Sequence, residues 1–185
     1  LILFSRTGER RTIDFNLNSL NIITGKSDRG KTAIIPIVRY CLGSSECNVP
    51  EGVIRDLVGW YGVKLQFENY QMLLMRQAPA INKNSNKRVF LSHGNTVETP
   101  ETEPSNSNTT IDVAVKEIER RMGFGAYIHT PPVGQTRDPL RPTLKHTMGY
   151  CFQRQTEIAT NEVLFHGHSD NWVLQAAKDT LPYFL

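Results

Sequence analysis

Cysteine is scarce in this chain and poorly placed for its usual structural uses. The three residues Cys41, Cys47 and Cys151 are an odd number and show no C-x-x-C spacing. Neither a disulfide framework nor a zinc site is indicated, and reduced thiols are expected. No apolar run approaches the about 18 residues that cross a bilayer, and no charged-then-apolar leader opens the chain. A soluble, intracellular protein with no membrane partner is therefore expected. An excess of one charge is missing too. The 21 Lys plus Arg against 18 Asp plus Glu leave +3, too little to indicate nucleic-acid binding without local clustering. The first residue is Leu, so the natural amino terminus is expected to lie upstream. What is present, 185 residues with 39% hydrophobic content, suffices for one globular domain with a sizeable core.

The most informative stretch is 20–42, LNIITGKSDRGKTAIIPIVRYCL. Its apolar lead (Leu20, Ile22, Ile23), the G-x-x-x-x-G-K-T run from Gly25 to Thr32, and an apolar segment from Ala33 to Tyr40 give the order strand, loop, helix. A phosphate-binding loop needs successive backbone N–H groups curled round an anion with no Cβ in the way, which Gly25 and Gly30 permit. Lys31 can reach β- and γ-phosphates, and the Thr32 hydroxyl can ligate Mg²⁺. A helix starting near Gly30 would add its positive end. The candidate nucleotide-binding set is Gly25, Lys26, Ser27, Asp28, Arg29, Gly30, Lys31, Thr32 and Ala33. Pro36 lacks an N–H and predicts a kink about one turn into that helix, and Gly43 is its expected C-cap.

Upstream, Leu1 to Ser5 reads as a strand, Arg6 to Arg11 as a charged turn, and Ile13 and Phe15 as part of an edge-like strand. Arg6, Arg10 and Arg11 fit either a solvated turn or a basic rim near phosphate or DNA. Downstream, 53–58 is a short apolar segment. Trp60 to Phe67 alternates as a strand, 69–71 forms a turn, and Met72 to Arg76 returns as the second arm of a hairpin. Residues 82–88 and 98–110 are polar and turn-rich, expected to be exposed and mobile, with Val89 to Leu91 a short strand between them. Thr110 can cap a helix whose stripe is Ile111, Val115, Ile118 and Met122. Residues 130–142 hold four prolines and read as an extended loop. Arg137, Arg141, Lys145, His146 and Arg154 make this region basic, either as ordinary solvated surface or as a DNA contact. His166 and His168 lack ligands at usable spacing and read as surface histidines. Asn171 to Leu185 is a last amphipathic helix, stopped by Pro182.

An NTP hydrolase also needs an apolar strand ending in Asp or Asp-Glu to hold Mg²⁺ and polarise water, and none follows the loop. N-K-x-D and D-x-x-G are missing as well, which weighs against a GTPase. With these features the chain resembles the N-terminal half of an ABC-type ATPase head of the structural-maintenance-of-chromosomes (SMC) class, including the double-strand-break repair ATPases. The likeness lies in a sheet entering L-N-I-I-T-G-K-S-x-x-G-K-T, a helix, a hairpin, a polar excursion, and F-Q-R-Q-T-E-I in the place of a Q-loop. N-I-I-T-G-K-S followed by Y-C-L-G-S-S-E-C-N-V-P-E-G is similar, more narrowly, to a bacterial SMC-like subfamily of anti-phage defence systems, of which Lamassu is an example. Lys26, where repair members commonly carry Asn, and Pro36 depart from the pattern.

The resemblance implies an α/β P-loop NTPase fold. That fold is the N-terminal lobe of an ABC/SMC-type head, a mixed sheet with the loop helix plus hairpin and helical insertions, ending before a coiled coil. Residues 1–185 would be this half-head, with 79–110 a flexible polar excursion, 130–146 a basic Pro-rich loop and 171–185 a helix leading toward the coiled coil. It further implies ATP and Mg²⁺ as cofactors. Lys31 and Gln155 become catalytic, Thr32 and Gln155 metal-ligating, and Gln153 the alternative Q-loop glutamine. The implied partners are the C-terminal half of the same head, a second head in a homodimer, duplex DNA contacted by Arg137, Arg141 and Lys145, and nuclease or accessory subunits, all in the bacterial cytoplasm. ATP hydrolysis coupled to DNA sensing is the resulting expectation. A non-hydrolysing nucleotide-dependent scaffold and a small-molecule kinase are the rivals.

Overall fold

The computed structural model describes residues 1–26, 30–153, 158–159 and 170–185. They form two compact units, Leu1–Ala114 and Val115–Leu185. The first is built on a five-stranded sheet of order β2-β1-β3-β4-β5, with β1 Ile2–Ser5, β2 Arg10–Thr12, β3 Val58–Phe67, β4 Tyr70–Gln77 and β5 Val89–Gly94. Helix α1 is Ile34–Cys41 and α2 is Val53–Leu57.

The expected hairpin is its backbone. Only Glu68 and Asn69 separate β3 from β4, and the pairing runs from Phe67↔Tyr70 to Trp60↔Gln77. Alternation then sorts the side chains. Ile2, Phe4, Trp60, Leu73 and Met75 form one buried cluster with Val97. From the opposite face Tyr61 meets Tyr40 of α1, their rings perpendicular at 6.1 Å. Burying a side chain of this size contributes about 1.5–3 kcal/mol, so a sheet covered on both faces is the main source of this unit's stability. Every pair among the described strands is antiparallel. This corrects the mixed sheet expected above. Tight hairpin connections can join antiparallel strands only, and the segment that would supply another neighbour is not a strand.

That segment is 20–24. Leu20 is 84% exposed, Ile22 74% and Ile23 44%, and no strand pairing includes them. The apolar alternation is real, but a strand interior needs neighbours for its N–H and C=O groups, and the described residues offer none here. The edge strand expected around Ile13 and Phe15 forms instead at Arg10–Thr12, paired to β1. The short apolar segment at 53–58 gives α2 and the first residue of β3.

Arg76, 3% exposed, is the buried charge of the sheet. Nη1 donates to the carbonyls of Tyr40 and Ser44 (2.9 and 2.7 Å), Nε to that of Asn86 (3.0 Å), and Nη2 to Ser85 Oγ (2.9 Å). Its guanidinium carbon also lies 3.9 Å from the centre of the Tyr40 ring. The C-terminal end of α1 is the negative pole of the helix, and its carbonyls accept from this cation in place of a carboxylate. Arg76 thereby ties α1, the sheet and the 82–88 segment together. The polar stretches are stitched down elsewhere too: Val97 N donates to Gln71 Oε1 (2.8 Å), and Asn108 exchanges hydrogen bonds with Leu91 (2.8 Å each).

Helix α3, Ile111–Arg121, opens with Thr110 Oγ1 accepting from Val113 N at 3.4 Å. The unit boundary falls within α3, after Ala114, and the second unit holds the rest of α3 with α4, Leu144–Cys151, and α5, Asn171–Phe184. Phe184 packs edge-on against Phe124 (5.5 Å) and Tyr150 (5.4 Å), and the rings of Tyr127 and Tyr183 lie 5.1 Å apart. Pro182 does not stop the last helix. It lies inside the final turn, where its missing N–H costs a single bond and the chain continues to Phe184. Among the described residues no helix is long and apolar enough to cross a membrane.

Candidate functional site: the glycine-bounded loop at 25–32

Both glycines of the motif adopt backbone angles that suit glycine. Gly25 has φ +152° and Gly30 φ +78°. Between them Ser27, Asp28 and Arg29 lie outside the described residues. The loop is closed by Lys31, whose Nζ donates to the carbonyls of Gly25 and Lys26, each at 2.6 Å. An ammonium that spans the loop in this way pulls its entry and exit together and concentrates positive charge within the ring.

The exit differs from expectation. Lys31–Ala33 is a 3-10 turn, and α1 begins only at Ile34. Pro36 therefore falls in the first turn of α1, where its missing N–H has no intrahelical partner to lose. The expected kink is replaced by a tighter first turn. Thr32 is exposed directly after Lys31, while Ala33 is buried and anchors the turn. Next to the loop stands Ile54 of α2, whose Cδ1 lies 2.5 Å from where a Cβ on Gly30 would be. A side chain at 30 is opposed first by the left-handed backbone and second by this methyl group. At the far end of α1 the buried Cys41 thiol is pushed above its ordinary pKa by desolvation and is chemically inert. Burial likewise raises Cys47.

The second unit carries the other candidates. Gln153 donates from Nε2 to the carbonyls of Gly149 and Tyr150, 3.2 Å each, and so finishes α4. Gln155 and Arg154 lie outside the described residues, as do His166 and His168. Arg137 is not a free basic side chain. It pairs through Nη1 with Asp179, whose residue is only 7% exposed, and donates from Nε and Nη2 to Gln135 Oε1 (3.0 and 2.7 Å). Gln175 Nε2 donates to Asp179 at 2.8 Å, and His129 Nε2 lies 3.3 Å from the same carboxylate. Arg137 thus holds the proline-rich loop to α5, whereas Arg141 and Lys145 are exposed. Among the amino-terminal arginines, Arg6 donates to the carbonyl of Asp56 (2.8 Å) and Arg10 to that of Pro100 (3.0 Å). These two side chains brace the fold, and among the three only the exposed Arg11 has no described side-chain hydrogen bond.

His146 forms a reciprocal capping box at the start of α4, its Nδ1 accepting from Thr143 N at 3.0 Å. Desolvation lowers its pKa, in keeping with an acceptor nitrogen that must stay unprotonated. Sequence reasoning missed Arg76 and Asp179. For Arg76 a signal existed, since it shares strand parity with the buried Met72 and Leu74; Asp179 gave none. Comparison of the chain with protein-family models, curated proteins and solved structures finds no match.

Proposed function

We propose that this chain is the ATP-binding N-terminal half of an SMC-like, ABC-type P-loop ATPase head, acting in DNA sensing of the anti-phage defence kind. The observation that carries the nucleotide reading is the closure of the Gly25–Thr32 motif by Lys31 on the carbonyls of Gly25 and Lys26. A triphosphate bound here takes over the Lys31 ammonium from the two carbonyls and meets the start of the 3-10 turn. Thr32, exposed beside Lys31, fits Mg²⁺, an ion that retains most of its waters and takes few protein oxygens. When bound, that ion supplies charge neutralisation at the β- and γ-phosphate oxygens. Lys31 orients the phosphates, and Gly30 lets the backbone approach them.

The uncovered Leu20, Ile22 and Ile23 support the half-head reading. An apolar segment that alternates like a strand but does not form one alone fits a partner that contributes adjacent strands, here the C-terminal half with its acidic strand. Head dimerisation would complete the site, and Gln155 would sense the γ-phosphate. Arg141 and Lys145 are the side chains offered to duplex DNA, and Arg137 is withdrawn from that role by Asp179.

The test is phosphate release by the full-length protein with and without linear or circular duplex DNA. DNA-stimulated release supports the clamp ATPase. Tight ATP binding with no release under any condition replaces it with the nucleotide-dependent scaffold that organises a nuclease or accessory subunit.

A further inference from the structure

The short helix α2 lies against the loop yet is too small to hold itself in place. It has five residues and none is buried. One helical turn is not stable alone. It is fixed by Arg55, whose Nη1 donates to the carbonyl of Cys47 (2.7 Å) and Nη2 to that of Lys83 (2.8 Å). The two segments that carry these acceptors are joined next to them, because Cys47 N donates to the carbonyl of Asn84, the residue after Lys83, at 2.7 Å. Two residues on, Asn86 N donates to the Tyr40 hydroxyl at 2.9 Å, so the same segment also grips the end of α1. Ile54, the neighbour of Arg55, fills the space left by the absent side chain of Gly30.

We propose that Arg55 is a positioning residue for the phosphate loop, acting through Ile54, and that loop occupancy is linked through it to the 82–88 segment. The inference rests on the nucleotide-binding reading of residues 25–32. A phosphate that draws in Gly30 must carry Ile54 with it, and α2 can follow only as far as its two guanidinium bonds allow. Linkage works in both directions: loosening the hold of Arg55 on the carbonyls of Cys47 and Lys83 weakens ATP, and ATP tightens that hold. The planar fork of Arg55 holds two carbonyls at once, which a lysine cannot reproduce.

The experiment is hydrogen exchange and fluorescent-ATP titration on the full-length protein, comparing the parent with Arg55→Met, Arg55→Lys and Arg88→Met. Arg88 donates to the carbonyl of Ser105 (3.0 Å) from the same segment and serves as the control arginine. In the parent, ATP with Mg²⁺ should slow exchange in peptides covering 30–40 and also at the amides of Cys47, Lys83 and Asn86. Arg55→Met should weaken ATP about tenfold and erase protection at 82–88 while keeping it at 30–40, with Arg55→Lys intermediate and Arg88→Met unchanged. If Arg55→Met does not fold, Ile54→Ala carries the same expectation. Protection at 30–40 with none at 82–88, or parental ATP affinity in Arg55→Met, overturns the proposal. No protection at either place overturns the nucleotide reading and this inference with it.

Discussion

Two stretches of this chain carry nearly the same apolar alternation and meet opposite fates. Trp60, Tyr61 and Val63 sit at the centre of a sheet with strands on both sides, whereas Leu20, Ile22 and Ile23 run exposed toward the glycine-bounded loop at 25–32. The difference lies in what each has beside it. Trp60 to Phe67 is followed after two residues by its own partner, so local pairing closes it. Among the described residues the approach to the loop has no strand partner, and in the half-head reading its partners belong to another segment. Alternation marks the capacity for a strand; neighbours decide whether one forms.

The largest expected effect attacks the buried side. Arg76→Met leaves the carbonyls of Tyr40, Ser44 and Asn86 without their donor and should cost about 3–5 kcal/mol, read as a lowered denaturant midpoint. A loss below about 1 kcal/mol would mean that water replaces the guanidinium and that the tie to α1 is weak.

Next comes the second unit, where the Arg137–Asp179 ion pair adds to the aromatic packing around Phe184. Arg137→Met strands the Asp179 carboxylate, and an expected loss of about 2–3 kcal/mol allows for the part-exposed arginine. Arg137→Met combined with Asp179→Asn should recover part of it, and strict additivity in that double-mutant cycle would show that the two side chains act independently.

Smaller still is the pH response of α4. Because desolvation lowers the pKa of His146 in the folded chain, the unfolded state binds its proton more readily. The capping contribution is therefore present above the unfolded value near 6.5 and is lost as pH falls below it. The loss should be about 1 kcal/mol, seen as reduced helicity at mildly acid pH. His146→Gln, which keeps an acceptor at the same position of the capping box, should flatten the response. An unchanged slope would assign it to other groups.

The smallest effect is on the exposed side of the comparison. Ile22→Glu should leave the stability of this chain within about 0.5 kcal/mol, because nothing covers Ile22. A large loss would show that 20–24 is packed after all.

Much of the architecture was legible because it rests on short-range patterns. The β3–β4 hairpin follows from alternation, although its turn falls at Glu68 and Asn69 and the expected turn residues Tyr70 and Gln71 belong to β4; α3 follows from its stripe and Thr110, and the end of α1 from Gly43. What was not legible depends on contacts distant in sequence. Pro36 predicted a kink because the helix start was placed at Gly30; the 3-10 turn moved that start to Ile34 and made the proline harmless. Arg137 read as a DNA contact because its partner Asp179 lies 42 residues away on α5. The positive φ of Gly25 and Gly30 was legible in residue types, since backbone freedom is a local property. The seat made by Ile54 and Arg55 was not.

The most direct measurement is ATP binding by the full-length protein and by Lys31→Ala, matched for folding by circular dichroism. Saturable Mg²⁺-dependent binding is expected in the parent, and its loss in Lys31→Ala. Equal affinity in the two proteins would contradict the assignment of residues 25–32 as a nucleotide phosphate loop.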